Sequence, residues 1–319
     1  MGRRRKGLPI HGWLVIDKPL GMTSTAVVSA VRRISGAAKV GHGGTLDPLA
    51  TGILPVALGE ATKTVSHVMD GRKLYRMGVR WGEQRDTDDG EGQVIATSDA
   101  RPTLDQVRAA LPAFTGTIEQ VPPRFSAVKV AGRRAYDLAR ADQPVDLSPR
   151  PVRIDSIELL TTEDEASADP DRLDLLIAAG KGTYMRALAR DLALRLGTVA
   201  YMDSLRRLSC GPFDDSHAIS LDKLETVGHS LAHSDVLLSV ETALDDIPAL
   251  ALTEQEARRL SQGQPVALLP VLMREASARC QGQATPPGET VHRAMSGTRL
   301  VAMVRIVGGE IRPVRVMNL

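Results

Sequence analysis

A chain of 319 residues is long for one compact core and suits one large domain followed by a small one. Its 43% apolar and 24% charged residues describe a soluble globular protein and exclude a disordered one. A net charge of +2 argues for no polyanionic partner by itself, and no apolar run approaches the roughly 20 residues that a bilayer-spanning helix needs.

In chain order, the basic start Arg3-Arg4-Arg5-Lys6 leads into a strand over 11–16 followed by Asp17 and Lys18, which is no signal-peptide core. Thr23 or Ser24 caps a helix through Ile34, stopped by Gly36. Residues 39–52 carry glycines and an Asp-Pro and predict a loop. A buried strand follows over 53–58 and a helix over 60–69. Strands over 74–81 and 93–97 are expected to flank an acidic turn, 86–92. Residues 104–113 and 133–140 predict helices, 127–130 a strand, and three prolines break 144–151. Strands over 152–160 and 173–178 flank an acidic loop, 163–171. The clearest helix is 183–196, where Met185, Leu188, Ala189, Leu192 and Leu196 recur at helical spacing. Near 245–248 the character changes to a short helix, 254–261, small strands and many glycines, with a polar loop over 274–288.

Strands and helices interleave without a regular βαβ repeat, so the expected fold is α+β with a mixed sheet. The two cysteines, Cys210 and Cys280, form no CxxC pair and no disulfide framework, which points to a reducing cytoplasm. Charge is uneven: residues 124–153 hold seven basic residues against three acids, and Arg305, Arg312 and Arg315 face only Glu310 in the last fifteen residues. Such patches suit phosphates as well as they suit plain solvation.

The densest stretch runs from Gly41 to Gly52. Its glycines let a backbone approach a ligand closely, and Asp47, placed before Pro48, is biased to an extended conformation. An aspartate presented at a cleft beside His42 and an ordinary Asp-Pro turn both fit these residues. A phosphate loop fits poorly, because neither GxxxxGK[ST] nor GxGxxG is present. The histidines at 42, 67, 217, 229, 233 and 292 make no metal constellation.

The stretches 12–24 (GWLVIDKPLGMTS) and 39–55 (KVGHGGTLDPLATGILP) resemble the two N-terminal signatures of the TruB family of tRNA pseudouridine-55 synthases. The likeness continues through Lys73-Leu74-Tyr75, 86–89, 120–129, 180–186 and 205–208, and ends at 300–302 and 312–315, which resemble that family's small PUA domain. It thus spans nearly the whole chain in order. It implies a largely antiparallel central sheet of the pseudouridine synthase type over 1–246, with 124–153 as a mobile RNA-binding thumb, and a β-rich PUA-like domain over 247–319.

The resemblance implies catalysis by Asp47, with Tyr75 stacking on the target base and moving protons, and Arg186 pairing with the aspartate. Such a pair favours a charged carboxylate where RNA excludes water. Asp89 matches an acid that completes this network, with Asp86 and Asp88 close enough to compete. Tyr184 and Leu205 match residues lining the uracil pocket. His42 matches the histidine that fills the place of the flipped base, and Lys18 falls among the substrate-binding positions. The reaction isomerises a T-loop uridine with no redox change, so neither cofactor nor metal is implied. Attack on the sugar, attack on the base and elimination through the sugar all satisfy the chemistry. The implied partner is tRNA, bound by a cytoplasmic, stand-alone monomer with no membrane, guide RNA or protein partner. Gly43 stands where many members have Thr, Arg85 where Thr is usual, and Phe125 where Tyr is usual. A looser flipping loop at Gly43 and an added phosphate contact at Arg85 are the expected consequences.

Overall fold

The computed structural model describes residues 7–278 and 291–319, except Ala127, Ala131, Asp142, Pro144 and Val145. Cys280, residues 3–6 and the 279–288 part of the expected polar loop lie outside them.

The fold is α+β around a ten-stranded sheet. Gly12–Lys18 pairs antiparallel with Ala50–Leu58, which runs parallel to Ala200–Cys210. From there Lys73–Trp81, Arg172–Ala179, Arg150–Leu159 and Gly116–Gln120 follow in antiparallel succession. Ala218–Ile219 adds a parallel edge beside Gly12–Lys18. Gly12–Lys18 and Ala50–Leu58 are buried on both faces, as a sheet covered on both sides requires, whereas Lys73–Trp81 buries one face and leaves Arg76 exposed on the other. One side holds Met77, Val79, Leu173, Leu175 and Ile177 against helix Met185–Arg195. The same face continues over Gly12–Lys18 and Ala50–Leu58 as a cluster around Leu14, Ile16, Leu54 and Val56 under helix Ser24–Ser35, while Trp13, Ile53 and Phe213 form a cluster on the opposite face.

Helix Ser24–Ser35 starts where the Thr23 side chain accepts from Ala26 N and stops at Gly36, whose φ of 65° suits a residue without Cβ. Helix Met185–Arg195 is buried through Met185, Arg186, Ala187, Leu188, Ala189, Leu192 and Ala193, so even its first arginine points inward.

Several local expectations need correction. Residues 39–52 are not all loop: Val40–His42 pairs with Ala50–Leu58 through His42↔Val56. The helix expected over 60–69 is two pieces, Gly59–Lys63 in 3₁₀ form and Val65–Asp70, broken where the Thr64 hydroxyl bonds Ala61 O at 2.8 Å. Between Lys73–Trp81 and Val94–Thr97 the structure adds a further strand, Glu83–Arg85. It pairs with Val94–Thr97 as a separate ribbon. The acidic loop holds a short helix, Glu163–Ala168, started by a Thr162/Glu165 capping box. Residues 133–140 divide into strand Arg133–Arg134 and helix Ala135–Arg140. Helix Leu268–Ala278 runs into the stretch expected as polar loop. Among the unexpected strands the two longest are Gly116–Gln120 and Ala200–Cys210. The second is polar at Asp203, Ser204, Arg206 and Arg207 and shifts register twice, which hides its period.

A second, five-stranded sheet spans 249–316 and forms the β-rich C-terminal part, with helix Glu254–Ser261 against it. Its Leu300, Met303 and Met317 join the cluster of Trp13 and Phe213.

Candidate active site

Asp47 sits in the turn between the Val40–His42 and Ala50–Leu58 strands, and each backbone carbonyl from 43 to 48 has a named donor. Cys210 Sγ lies 3.7 Å from Gly43 O. The Arg207 guanidinium, only 1% exposed, donates to Gly44 O at 3.1 Å, Thr45 O at 3.5 Å and Ile53 O at 2.7 Å. Ser24 Oγ donates to Leu46 O at 3.0 Å and accepts from Leu46 N at 2.8 Å. Ala50 N donates to Asp47 O. Lys18 Nζ donates to Pro48 O at 3.2 Å, and Gly21 N to the same oxygen at 2.9 Å. Carbonyls bonded to charged donors contribute about 1.5–3 kcal/mol each, so the turn is held far more firmly than an exposed Asp-Pro turn.

Across the cleft, Arg186 Nε donates to Asp47 Oδ2 at 2.9 Å and lies 3.5 Å from Asp89 Oδ2. Its Nη1 and Nη2 donate to Thr87 O and Phe125 O, both at 2.9 Å. Side-chain exposure separates the partners: 36% for Asp47 against 6% for Arg186 and 7% for Asp89. Asp47 is the member of this network open to a ligand. Asp89 is fixed in turn by Thr87 Oγ1 at 2.6 Å and Glu91 N at 3.1 Å. The three nearby acids part company here, because Asp88 pairs with Arg190 and Asp86 Oδ1 accepts from Gln93 N.

Tyr75 is half-buried on Lys73–Trp81, with Arg207 and Ile177 as its cross-strand neighbours. Burial raises its phenol, and the Arg207 charge opposes that. Tyr184 stands at the start of helix Met185–Arg195, where the Gln120 amide grips its backbone twice: Tyr184 N donates to Oε1 at 2.8 Å, and Nε2 donates to Tyr184 O at 3.1 Å. Burial raises the Tyr184 phenol too. Leu205, 7% exposed, packs in the same cluster as Tyr75, Leu46 and Met185. Beside Tyr184 opens a cavity of about 150 Å³, with Arg150 and Lys181 in its lining. Half-buried His42 accepts from Gly44 N through Nδ1 at 3.3 Å, which leaves Nε2 as the N–H bearing nitrogen. Burial, then the Arg207 charge, lowers its pKa, so the ring is neutral at neutral pH.

Lys18 differs from its expected place among substrate contacts. It is fully buried, and its ammonium serves Met22 O at 2.6 Å and Pro19 O at 2.9 Å besides Pro48 O. With its donors so committed, it ties the first signature to the Asp47–Pro48 turn. Burial lowers its pKa to about 8, against the attraction of Asp47. Arg85, expected at a phosphate, is also turned inward: it bonds Gly90 O, Gly92 O and Glu83 and lies over the Tyr201 ring at 4.5 Å. Gly43 does not loosen the loop. A Cβ there would stand 2.8 Å from Val68 Cγ1, so the glycine makes room for a close contact.

Ser24, Gln120 and Arg207 were not singled out as site residues from the sequence. Arg207 had one signal, its place in the stretch 205–208 that shares the family likeness.

The geometry therefore offers an accessible carboxylate on a rigid turn, a buried cation behind it, and two tyrosines and a leucine around it. The profile described as "TruB family pseudouridylate synthase (N terminal domain)" matches residues 32–185. The one described as "tRNA pseudouridylate synthase B C-terminal domain" matches residues 186–245. A curated relative from Rhodospirillum rubrum, named tRNA pseudouridine synthase B, is 59% identical over all of both chains. One of the same name from Gluconacetobacter diazotrophicus is 53% identical over 99% of this chain and all of its own. A chain from a solved Cbf5-Nop10-Gar1 complex shares the fold, with a TM-score of 0.72 at 24% identity over 99% of this chain and 91% of that one. The chain belongs to the TruB family of pseudouridylate synthases.

Proposed function

We propose that this chain converts the T-loop uridine at position 55 of tRNA to pseudouridine, with Asp47 as the reacting carboxylate. The observation that carries this reading is the Arg186–Asp47 contact of 2.9 Å, in which only the carboxylate is exposed. The names of the full-length relatives support tRNA as the substrate.

In the reaction the bond from N1 of uracil to C1′ of ribose breaks, the base turns, C5 bonds to C1′ and gives up its proton, and N1 takes a proton in its place. The Asp47 oxygen that does not face Arg186 meets the uridine. Arg186 and Asp89 hold the carboxylate in place through each route open to it, on the sugar or on the base. Tyr75 and Tyr184 offer apolar ring surface to the freed uracil, and Leu205 closes the floor. The raised phenol of Tyr75 keeps its proton at neutral pH and offers it or relays it at the base. His42, held by Gly44 N at the loop's edge, fills the gap left in the T loop when the uridine is flipped out. Segment 124–153 closes over the RNA, and residues 247–319 act as a PUA-like domain contacting the same tRNA. The work is done in the cytoplasm by the chain alone, as a monomer without guide RNA, metal or cofactor.

The test is tritium release from tRNA labelled at uridine C5, with no guide RNA or other protein added. Wild type releases tritium from the T-loop position. Asp47→Asn binds the tRNA and is slower by at least about 10⁴-fold, the scale of losing a covalent or charge-stabilising group. Turnover by Asp47→Asn comparable to wild type would refute the assignment.

A further inference from the structure

Helix Met185–Arg195 carries a second inward cation. Arg190 lies four residues beyond Arg186 and so on the same face. Its Nη1 meets Asp88 Oδ2 at 2.9 Å, its Nη2 donates to Val121 O at 2.8 Å, and its Nε meets Asp191 Oδ1 at 2.8 Å. The side chains of Arg190 and Asp88 are 16% and 8% exposed, so this is no surface pair.

Asp88 is unusual in its backbone as well. Its φ of 61° makes it the one non-glycine residue with positive φ among the described residues. A left-handed aspartate costs about 1–2 kcal/mol and persists only where its surroundings hold it. Here Asp88 N donates to Arg85 O, and Asp88 O accepts from Met202 N, both at 3.0 Å. The left-handed residue lets three successive residues serve two arginines. Thr87 O and the Asp89 carboxylate face Arg186, while the Asp88 carboxylate between them faces Arg190. The same two arginines bond Val121 O and Phe125 O, at the root of segment 124–153.

We propose that the Asp88–Arg190 pair is a positioning device for the isomerisation, fixing the acidic turn and the root of segment 124–153 so that Asp89 and Arg186 hold Asp47 in its reacting orientation. This rests on the reading of Asp47 above. Neither residue touches the reacting atoms. Stability alone does not account for the pair. Burial raises the Asp88 carboxyl to about 6 even with Arg190 and Arg186 beside it, so its ionised form costs the fold stability at neutral pH.

The experiment compares wild type, Asp88→Asn, Arg190→Gln and the double variant in the tritium-release assay, with a thermal midpoint for each. Asp88→Asn is isosteric and leaves Arg190 its counter-charge on Asp191 and its bond to Val121 O, so its midpoint stays within a few degrees of that of wild type. Its kcat nevertheless falls about tenfold or more, the scale of a small misplacement at the reacting groups, while KM stays within about twofold. The double variant shows the same deficit and not the product of two, because the pair acts as one unit. Should Arg190→Gln fail to fold with its lone buried carboxylate, Asp88→Asn and the double variant, free of that charge, still decide. Wild-type kcat in Asp88→Asn, or a loss confined to KM, overturns the proposal. A wild type that releases no tritium refutes both it and the reading of Asp47, whereas a normal wild type with unaffected variants refutes the positioning role alone.

Discussion

Single residues around Asp47 combine packing and charge in ways that substitution can separate. Gly43 is pressed by Val68, so Gly43→Thr introduces a Cβ contact near 2.8 Å. Overpacking of this kind costs about 1–3 kcal/mol. Gly43→Thr is therefore expected to lower the denaturant midpoint, and Val68→Ala in the same chain to restore most of it. Failure of Val68→Ala to compensate would show that the glycine serves a backbone need instead. Asp88 makes a pH prediction. Its carboxyl is raised to about 6, so between about pH 4 and 6 the folded chain holds a proton that the unfolded chain has already lost. Fewer protons on the unfolded state means that this group's contribution to stability falls as pH rises through that window. Unfolding free energies at pH 4.5 and 7 should show the change in wild type. In Asp88→Asn the difference between the two pH values shifts in favour of pH 7.

At the scale of elements, the Ala200–Cys210 strand governs the site although it carries none of the groups proposed to react. Arg207 projects from it to hold Gly44, Thr45 and Ile53. Lysine keeps the charge but not the planar fork, so Arg207→Lys releases at least one of these carbonyls. We expect about a 10²-fold loss in kcat with tRNA binding retained, measured by single-turnover assay and filter binding. Unchanged kcat would mean that the remaining bonds suffice to hold the turn. This strand also marks the limit of sequence reading. The Ser24–Ser35 helix, with a capping threonine and a stopping glycine, and the Glu254–Ser261 helix were legible to the residue or nearly so. The Ala200–Cys210 strand was not, because buried polar residues and two register shifts erase its alternation. Likewise Asp47 and Arg186 stood out through motif likeness, and the structure puts them in contact. Lys18 and Arg85 misled, because a cation reads the same in sequence whether it faces a phosphate or backbone carbonyls. Only the fold reveals that the Lys18 ammonium and both Arg85 Nη groups bond within the protein.

Across the whole molecule, the two sheets are joined by a shared apolar cluster and a few polar ties. Leu300, Met303 and Met317 pack in the cluster of Trp13 and Phe213, whose rings lie 5.2 Å apart. Lys63 Nζ donates to Val316 O at 2.7 Å, and Asn318 N to Glu60 Oε2 at 2.7 Å. The tail is thus part of the hydrophobic support of the first strand as well as a proposed RNA contact. A chain ending at 246 should expose part of that cluster, lower the thermal midpoint by several degrees and lose solubility. Trp13, now fully buried, should emit at longer wavelength. An unshifted emission with an unchanged midpoint would show that the large sheet stands independently.

The turn bearing Asp47 is gripped from the first strand, the first helix and a strand that arrives more than 150 residues later. Variation in any of these distant segments is felt at one carboxylate. Substitutions at Lys18, Ser24 and Arg207 should therefore be strongly epistatic with one another, and the turn can drift in evolution only when its remote holders drift together.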